Sequence, residues 1–487
     1  MKLHTVRLLV AGLLVVVLAV LYSVPRERIV PFGSDVERAR WHLIGDEPAY
    51  LLTAQAIAAG HGEDVSRVHA AQTYTNFWPA VIIGPRQWTW KNYRDLGCPY
   101  LWDRSASWGE HRQVIQRPPL TAAFAAPFAH CSNPRWFVLV ALEAFAILCA
   151  VVLLWGAADA HASVPWCGWA LLCFFSAPPT LFYTCAIYPE ILVGCLAAMG
   201  LFLCRSKRPG IRALAIGLLL VCPWGTGRVI PAVAITSPLL LWREIKARNL
   251  AGIAVFLIGW ALYEGYTFWL WGYPVPPAPP NGGTLTLSQM RLGILHTFFG
   301  NNIGLFFLCP VAAMGLFCLG LLLWKHRNDP ATVPTLLFLA CAAAVVASFS
   351  NPRAGICPAG RYQVILGLVL LVPVLVFLIV EPGHSAWRRR VCFLLSIFGA
   401  LSIVSGTLLL YRHRWWFVRS NPIFLYTEIH SLYAYLPDFA HSWKRPLAGW
   451  VLLFVVLAFL PDVFHICQKR RKPQLTPGTS QHTINSH

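Results

Sequence analysis

The chain has 487 residues, of which 57% are apolar and only 12% charged. Soluble globular proteins carry about 25% charged residues, so the composition argues against a soluble enzyme and excludes disordered, collagen-like and small disulfide-scaffold classes. The net charge of +19, from 39 Lys and Arg against 20 Asp and Glu, falls in short clusters between long apolar runs, a pattern of orientation in a bilayer and not of a nucleic-acid-binding face.

A bilayer core takes about 20 apolar residues per helix. In chain order, apolar runs lie near 8–24, 136–156, 165–182, 188–204, 211–223, 229–242, 250–272, 302–324, 332–350, 363–380, 391–411 and 447–464. They predict an all-α polytopic membrane protein of about 12 transmembrane helices, with a large first loop at 25–135. Leu21-Tyr22-Ser23-Val24-Pro25 is a poor cleavage site, so the first run reads as an uncleaved span. Residues 1–464 form one transmembrane domain on this reading, and the basic, polar tail 465–487 is expected to be disordered.

Basic residues set the orientation. With the N-terminus inside, the inner segments hold Arg205, Lys207, Arg208, Arg212, Arg243, Lys246, Arg248, Lys325, Arg327, Arg388, Arg389, Arg390 and the Lys469–Lys472 cluster. The short outer loops hold only Arg228, Arg291, Arg353 and Arg361. Both termini are therefore expected in the cytoplasm of a cell whose inner membrane the chain crosses, by the positive-inside rule.

The first outer loop carries half of the acids. In Gly45-Asp46-Glu47-Pro48-Ala49-Tyr50, Asp46 suits a helix cap and Pro48 a first turn, and Tyr50, Leu51, Ala54 and Ile57 follow helical spacing up to Gly60 and Gly62. Asp46 and Glu47 read equally as a capping pair or as functional acids. The loop's Trp78, Trp88, Trp90, Trp102 and Trp108 suit an interfacial belt first and stacking on sugar rings second. After Arg117-Pro118-Pro119, the run to His130 is too short to span and reads as an interfacial or re-entrant helix. Cys98, Cys131 and Cys357 lie in or beside outer loops, where a disulfide is possible; the remaining cysteines sit mostly in apolar runs as small hydrophobes.

Further on, Tyr188-Pro189-Glu190 puts a carboxylate at the outer start of the fourth run, an expensive position unless capped, paired or used. Arg228 opens the sixth run, and Arg353 and Arg361 flank the segment before the tenth. Snorkelling explains each Arg alone. Their retention in loops otherwise stripped of basic residues points to an anionic ligand, and Arg matches phosphate oxygens two at a time. Glu143 and Glu264, inside spans, are expected to have structural roles.

Several ordered pieces resemble one family. They are Gly45-Asp46-Glu47-Pro48, Arg117-Pro118-Pro119-Leu120, Ser176-Ala177-Pro178-Pro179 through Tyr188-Pro189-Glu190, Pro223-Trp224 to Arg228, Trp271-Gly272-Tyr273-Pro274 with Gly300-Asn301-Asn302-Ile303-Gly304-Leu305, and Pro358-Ala359-Gly360-Arg361-Tyr362. Together they resemble bacterial polytopic glycosyltransferases of the GT-C class, the superfamily of protein mannosyltransferases and aminoarabinose transferase. The resemblance covers residues 1 to about 380. It implies a polyprenyl-phosphate sugar donor and an envelope glycan, lipid or protein acceptor on the outer face. It also implies a catalytic acid at Asp46, with Glu47 beside it and Glu190 as a second acid. Arg361 is implied as a donor-phosphate contact, with Arg353 or Arg228; Arg117 and Tyr362 are expected to position substrate.

A phosphate leaving group needs no general acid, so one base and nearby cations suffice for single displacement with inversion. No cofactor is expected. There is no Asp-x-Asp or His cluster to demand a metal, although Asp46 and Glu190 are a possible pair for a divalent cation. The competing class is a multi-pass transporter or flippase of a lipid-linked or small anionic substrate, against which the sequence shows neither a repeat between halves nor an evident pair of broken spans.

Overall fold

The structure is a computed structural model; it describes residues 3–28, 47–71, 81–83, 86–88, 101–103, 113–115, 118–159, 164–271, 293–295, 297–299, 304–348, 361, 363–412, 448–449 and 452–462. In chain order the helices are α1 (Leu3–Arg28), α2 (Glu47–Ala58), α3 (Ser66–Ala70), α4 (Leu120–Ala125), α5 (Pro134–Asp159), α6 (Val164–Phe175), α7 (Pro178–Tyr183), α8 (Pro189–Leu203), α9 (Pro209–Gly225), α10 (Ile230–Lys246), α11 (Leu250–Trp271), α12 (Leu305–Leu308), α13 (Val311–Lys325), α14 (Thr332–Ala347), α15 (Gln363–Val380) and α16 (Ala386–Arg412), followed by α17 (Leu452–Asp462). Helices α5, α7, α8 and α9 each begin on proline, which lacks the N–H that a first-turn residue leaves unpaired anyway.

The apolar runs are mostly helical where described. Five helical stretches among the described residues are long and apolar enough to cross a membrane: His4–Ser23, Pro134–Ala157, Leu250–Trp269, Gln363–Val380 and Ala386–Thr407. The chain is accordingly a membrane protein, while α6, α8, α9, α13, α14 and α17 are shorter apolar helices. The tail expected to be disordered lies outside the described residues.

The centre is α15. From Gln363 to Leu378 every one of its residues is buried, as expected of a helix that is apolar all round. It packs on α6, α8, α13 and α14. Its approach to α8 depends on Gly194, where a Cβ would come within 2.8 Å of Leu368 Cδ1 and 3.4 Å of Ile365 Cα. Because Glu190 meets Arg361 and Gly194 meets Ile365, the two helices run in the same direction.

Two runs are interrupted, which the sequence reading did not anticipate. The 165–182 run breaks at Ser176-Ala177 ahead of two prolines, and the 302–324 run breaks at Cys309-Pro310. Proline disfavours the helical region for the residue before it. The backbone groups freed there are satisfied from neighbouring helices: Tyr22 Oη donates to the Phe175 carbonyl at 3.0 Å, and the Val311 N–H donates to Ser402 Oγ at 3.0 Å.

The first loop folds back on the bundle. α2 buries Tyr50, Leu51, Leu52, Ala54 and Ala56, and it packs on α4 and the following 3₁₀ turn Ala126–Phe128. The helix ends before Gly60 and Gly62, whose φ values of +78° and +60° favour glycine. The loop is not wholly helical. Strands β1 (Val81–Ile83) and β2 (Arg86–Trp88) pair antiparallel, as do β3 (Leu101–Asp103) and β4 (Gln113–Ile115). Three-residue strands are too short to announce themselves by alternation.

At the ends carrying the basic clusters, acids are paired. Arg205 Nε sits 2.9 Å from Asp329, Arg212 Nε 2.7 Å from Glu244, and Lys325 Nζ 3.3 Å from Glu381. Arg390 meets Asp462 and so ties α17 to α16.

Candidate functional site

Glu190 occupies the first turn of α8, after Tyr188 in an extended conformation and Pro189. The partial positive charge of a helix N-terminus favours a carboxylate there. Its side chain is only 1% exposed. Arg361, buried just ahead of α15, donates from Nε to Glu190 Oε1 at 2.6 Å. Arg228, in the 3₁₀ turn Gly227–Val229, brings Nη1 to 3.7 Å of the same oxygen. The Arg361 guanidinium also stacks 4.4 Å above the Tyr188 ring, a cation–π contact that fixes its plane. The structure thus brings together three of the residues singled out from sequence: Glu190, Arg228 and Arg361.

Glu190 and Arg228 border a crevice lined also by Thr226, Val229 and apolar side chains of α14 and α15. Its cavity volume is about 20 Å³, room for one water-sized group. Glu190 Oε2 is buried and has no hydrogen-bond partner.

Glu47 is fully buried at the start of α2. Arg135, on the first turn of α5, grips it with two parallel bonds, Nε to Oε2 at 2.9 Å and an Nη2 bond to Oε1 at 3.2 Å. The Ile187 N–H donates to Oε1 at 2.9 Å. Ile187 lies three residues before Glu190, so Glu47 anchors the first loop onto the segment that carries the second acid. Sequence reading assigns Arg135 no role; its place at the start of an apolar run was the available signal.

Glu63, between α2 and α3, was not singled out either. It accepts a short hydrogen bond from Tyr266 Oη on α11, while its Oε2 is buried without a partner. Tyr266 in turn packs on Trp224, with ring centroids 4.7 Å apart, next to the Thr226–Arg228 turn. Burial pushes the Glu63 carboxyl up to about 8. A folded-state value above the ordinary 4.5 means that the folded protein holds the proton more tightly. The stability this contributes is present at acid pH and declines as pH rises from about 4.5 to about 8. Thermal unfolding of the purified protein from pH 5 to 9 should show that decline, and Glu63→Gln should flatten it. An equal slope in the variant would assign the decline to other groups.

Asp46, Arg117, Arg353 and Tyr362 lie outside the described residues, as do Cys98 and Cys357. Cys131 is a free thiol. Among the described residues no three His, Cys, Asp or Glu side chains cluster as metal ligands would.

No family model matches the chain, nor does any curated protein. Among solved structures it is similar to the crystal structure of ArnT from Cupriavidus metallidurans bound to undecaprenyl phosphate, at 12% sequence identity over 83% of this chain and 72% of that one, with a TM-score of 0.43.

Proposed function

We propose that the protein is a GT-C-type glycosyltransferase of the inner membrane. It moves a sugar from a polyprenyl-phosphate donor to an envelope glycan, lipid or protein outside the cytoplasm. The observation that carries this reading is the convergence of Arg361 and Arg228 on the buried Glu190 beside a crevice. Guanidinium groups match phosphate oxygens, and a cationic edge stabilises the charge that builds on a departing phosphate. Arg228, a quarter exposed, stands at the accessible side of the pair.

In the reaction, the acceptor oxygen bonds to the anomeric carbon as the bond from that carbon to the phosphate oxygen breaks. The bonding electrons leave with the phosphate, and the acceptor proton passes to Asp46. Arg361, Arg228 and Arg353 hold the leaving group, and Arg117 and Tyr362 position substrate. Glu47 serves this site as a positioning residue through Ile187. Asp46 and Glu190 are the pair to which a divalent cation would bind if one takes part.

The two interrupted helices favour a transporter or flippase as the second reading. Detergent separates the two, because a micelle has no sides between which to transport. Solubilised protein, given a total polyprenyl-lipid extract of its cells and an envelope acceptor fraction, should release free polyprenyl phosphate. No release under conditions where the protein is folded would overturn the enzyme reading and leave the carrier.

A further inference from the structure

The crevice has a chemistry more specific than phosphate affinity. Glu190 commits Oε1 to Arg361 and Arg228 but leaves Oε2, buried, with no donor. A buried carboxylate oxygen without a donor is costly, and a ligand that supplies an O–H or N–H removes that cost. The remaining polar lining includes Thr226, only 6% exposed, whose hydroxyl both donates and accepts. The other lining side chains, Val229, Ala342, Val346, Ile365 and Leu366, are apolar.

Charge narrows the choice of group. Two guanidinium nitrogens already stand 2.6 and 3.7 Å from Glu190 Oε1, so an ammonium entering at Oε2 meets two cations in a poorly solvated space. A carboxylate or sulfate brings no hydrogen to donate to Oε2. A neutral hydroxyl donates to Oε2, accepts from Thr226 and adds no charge. The cavity volume of about 20 Å³ suits one such group.

We propose that the crevice between Glu190 and Thr226 holds a hydroxyl of the transferred sugar and that Thr226 is a specificity-determining residue. This rests on the glycosyl-transfer reading and extends it to how the sugar is recognised.

The test uses the full-length protein in nanodiscs and two probes: undecaprenyl phosphate, and the total polyprenyl-lipid extract of the source cells. Native mass spectrometry reads what is retained. The wild type should retain undecaprenyl phosphate and, from the extract, a polyprenyl phosphate carrying a sugar. Thr226→Val keeps the shape and removes the hydroxyl. It should weaken retention of the glycosylated lipid about tenfold, the scale of one lost hydrogen bond, and leave undecaprenyl phosphate unchanged; Thr226→Ser should restore retention. Unchanged preference in Thr226→Val would overturn the site while leaving the enzyme reading intact. Failure of the wild type to retain either lipid would instead remove the glycosyl-transfer reading, and this inference with it.

Discussion

Glu47→Ala is expected to be the most destabilising substitution in the first outer loop. The carboxylate is fully buried and, among the described residues, accepts two hydrogen bonds from Arg135 and one from the Ile187 N–H. Removing one partner of a buried ion pair strands the other, at a cost of about 3–5 kcal/mol. Arg135 keeps some contact with solvent, at 14% exposed, which places the expected loss near about 3 kcal/mol. Denaturant or thermal unfolding in detergent measures it. Arg135→Ala should cost a similar amount, and the double variant less than the sum, because neither charge is then left alone. Strict additivity of the two would show that the bonds do not form a unit. Glu47→Gln should fall between, since its amide oxygen can still accept from Ile187. Activity should fall in all four variants, through displacement of the 187–190 segment and not through chemistry at Glu47.

What the sequence made legible was spacing and the end of each run. Tyr188-Pro189-Glu190, Arg228 and Arg361 stand far apart in the chain, yet each stands at the same end of an apolar run, so a helical bundle brings them to one level. That placement follows from periodicity alone. The partners were less legible. Asp46 and Glu47 are adjacent acids with the same local signal, and only the contact with Arg135 marks Glu47 as an anchor. That contact joins residues 88 positions apart, beyond the reach of a local pattern. Glu63 is similar: nothing near it in sequence signals burial, which arises because α11 brings Tyr266 over it. The helix breaks were visible as Ser176-Ala177-Pro178-Pro179 and Cys309-Pro310, but the apolar runs concealed them, since a proline within such a run is compatible with a kink as well as a stop. The short strands had no usable signal at all.

Asp46→Asn is expected to abolish most of the transfer rate while leaving the fold in place. Glu47 is already committed to Arg135 and Ile187, in bonds that hold the loop down. Glu190 Oε1 is likewise committed, to Arg361. On the proposed mechanism the acceptor proton goes to Asp46. A positioned general base contributes about 10²–10⁴-fold, and Asn matches the size of Asp without its basicity. Released polyprenyl phosphate per unit time should therefore drop by about that factor, with the unfolding midpoint and the retention of undecaprenyl phosphate both unchanged. The contrast with Glu47→Gln is the sharper diagnostic: there the unfolding midpoint and the rate should fall together, whereas in Asp46→Asn the rate alone should fall. A transfer rate in Asp46→Asn within tenfold of wild type would remove Asp46 from the chemistry and direct attention to Glu190 and Glu63, each with a buried oxygen that has no partner among the described residues.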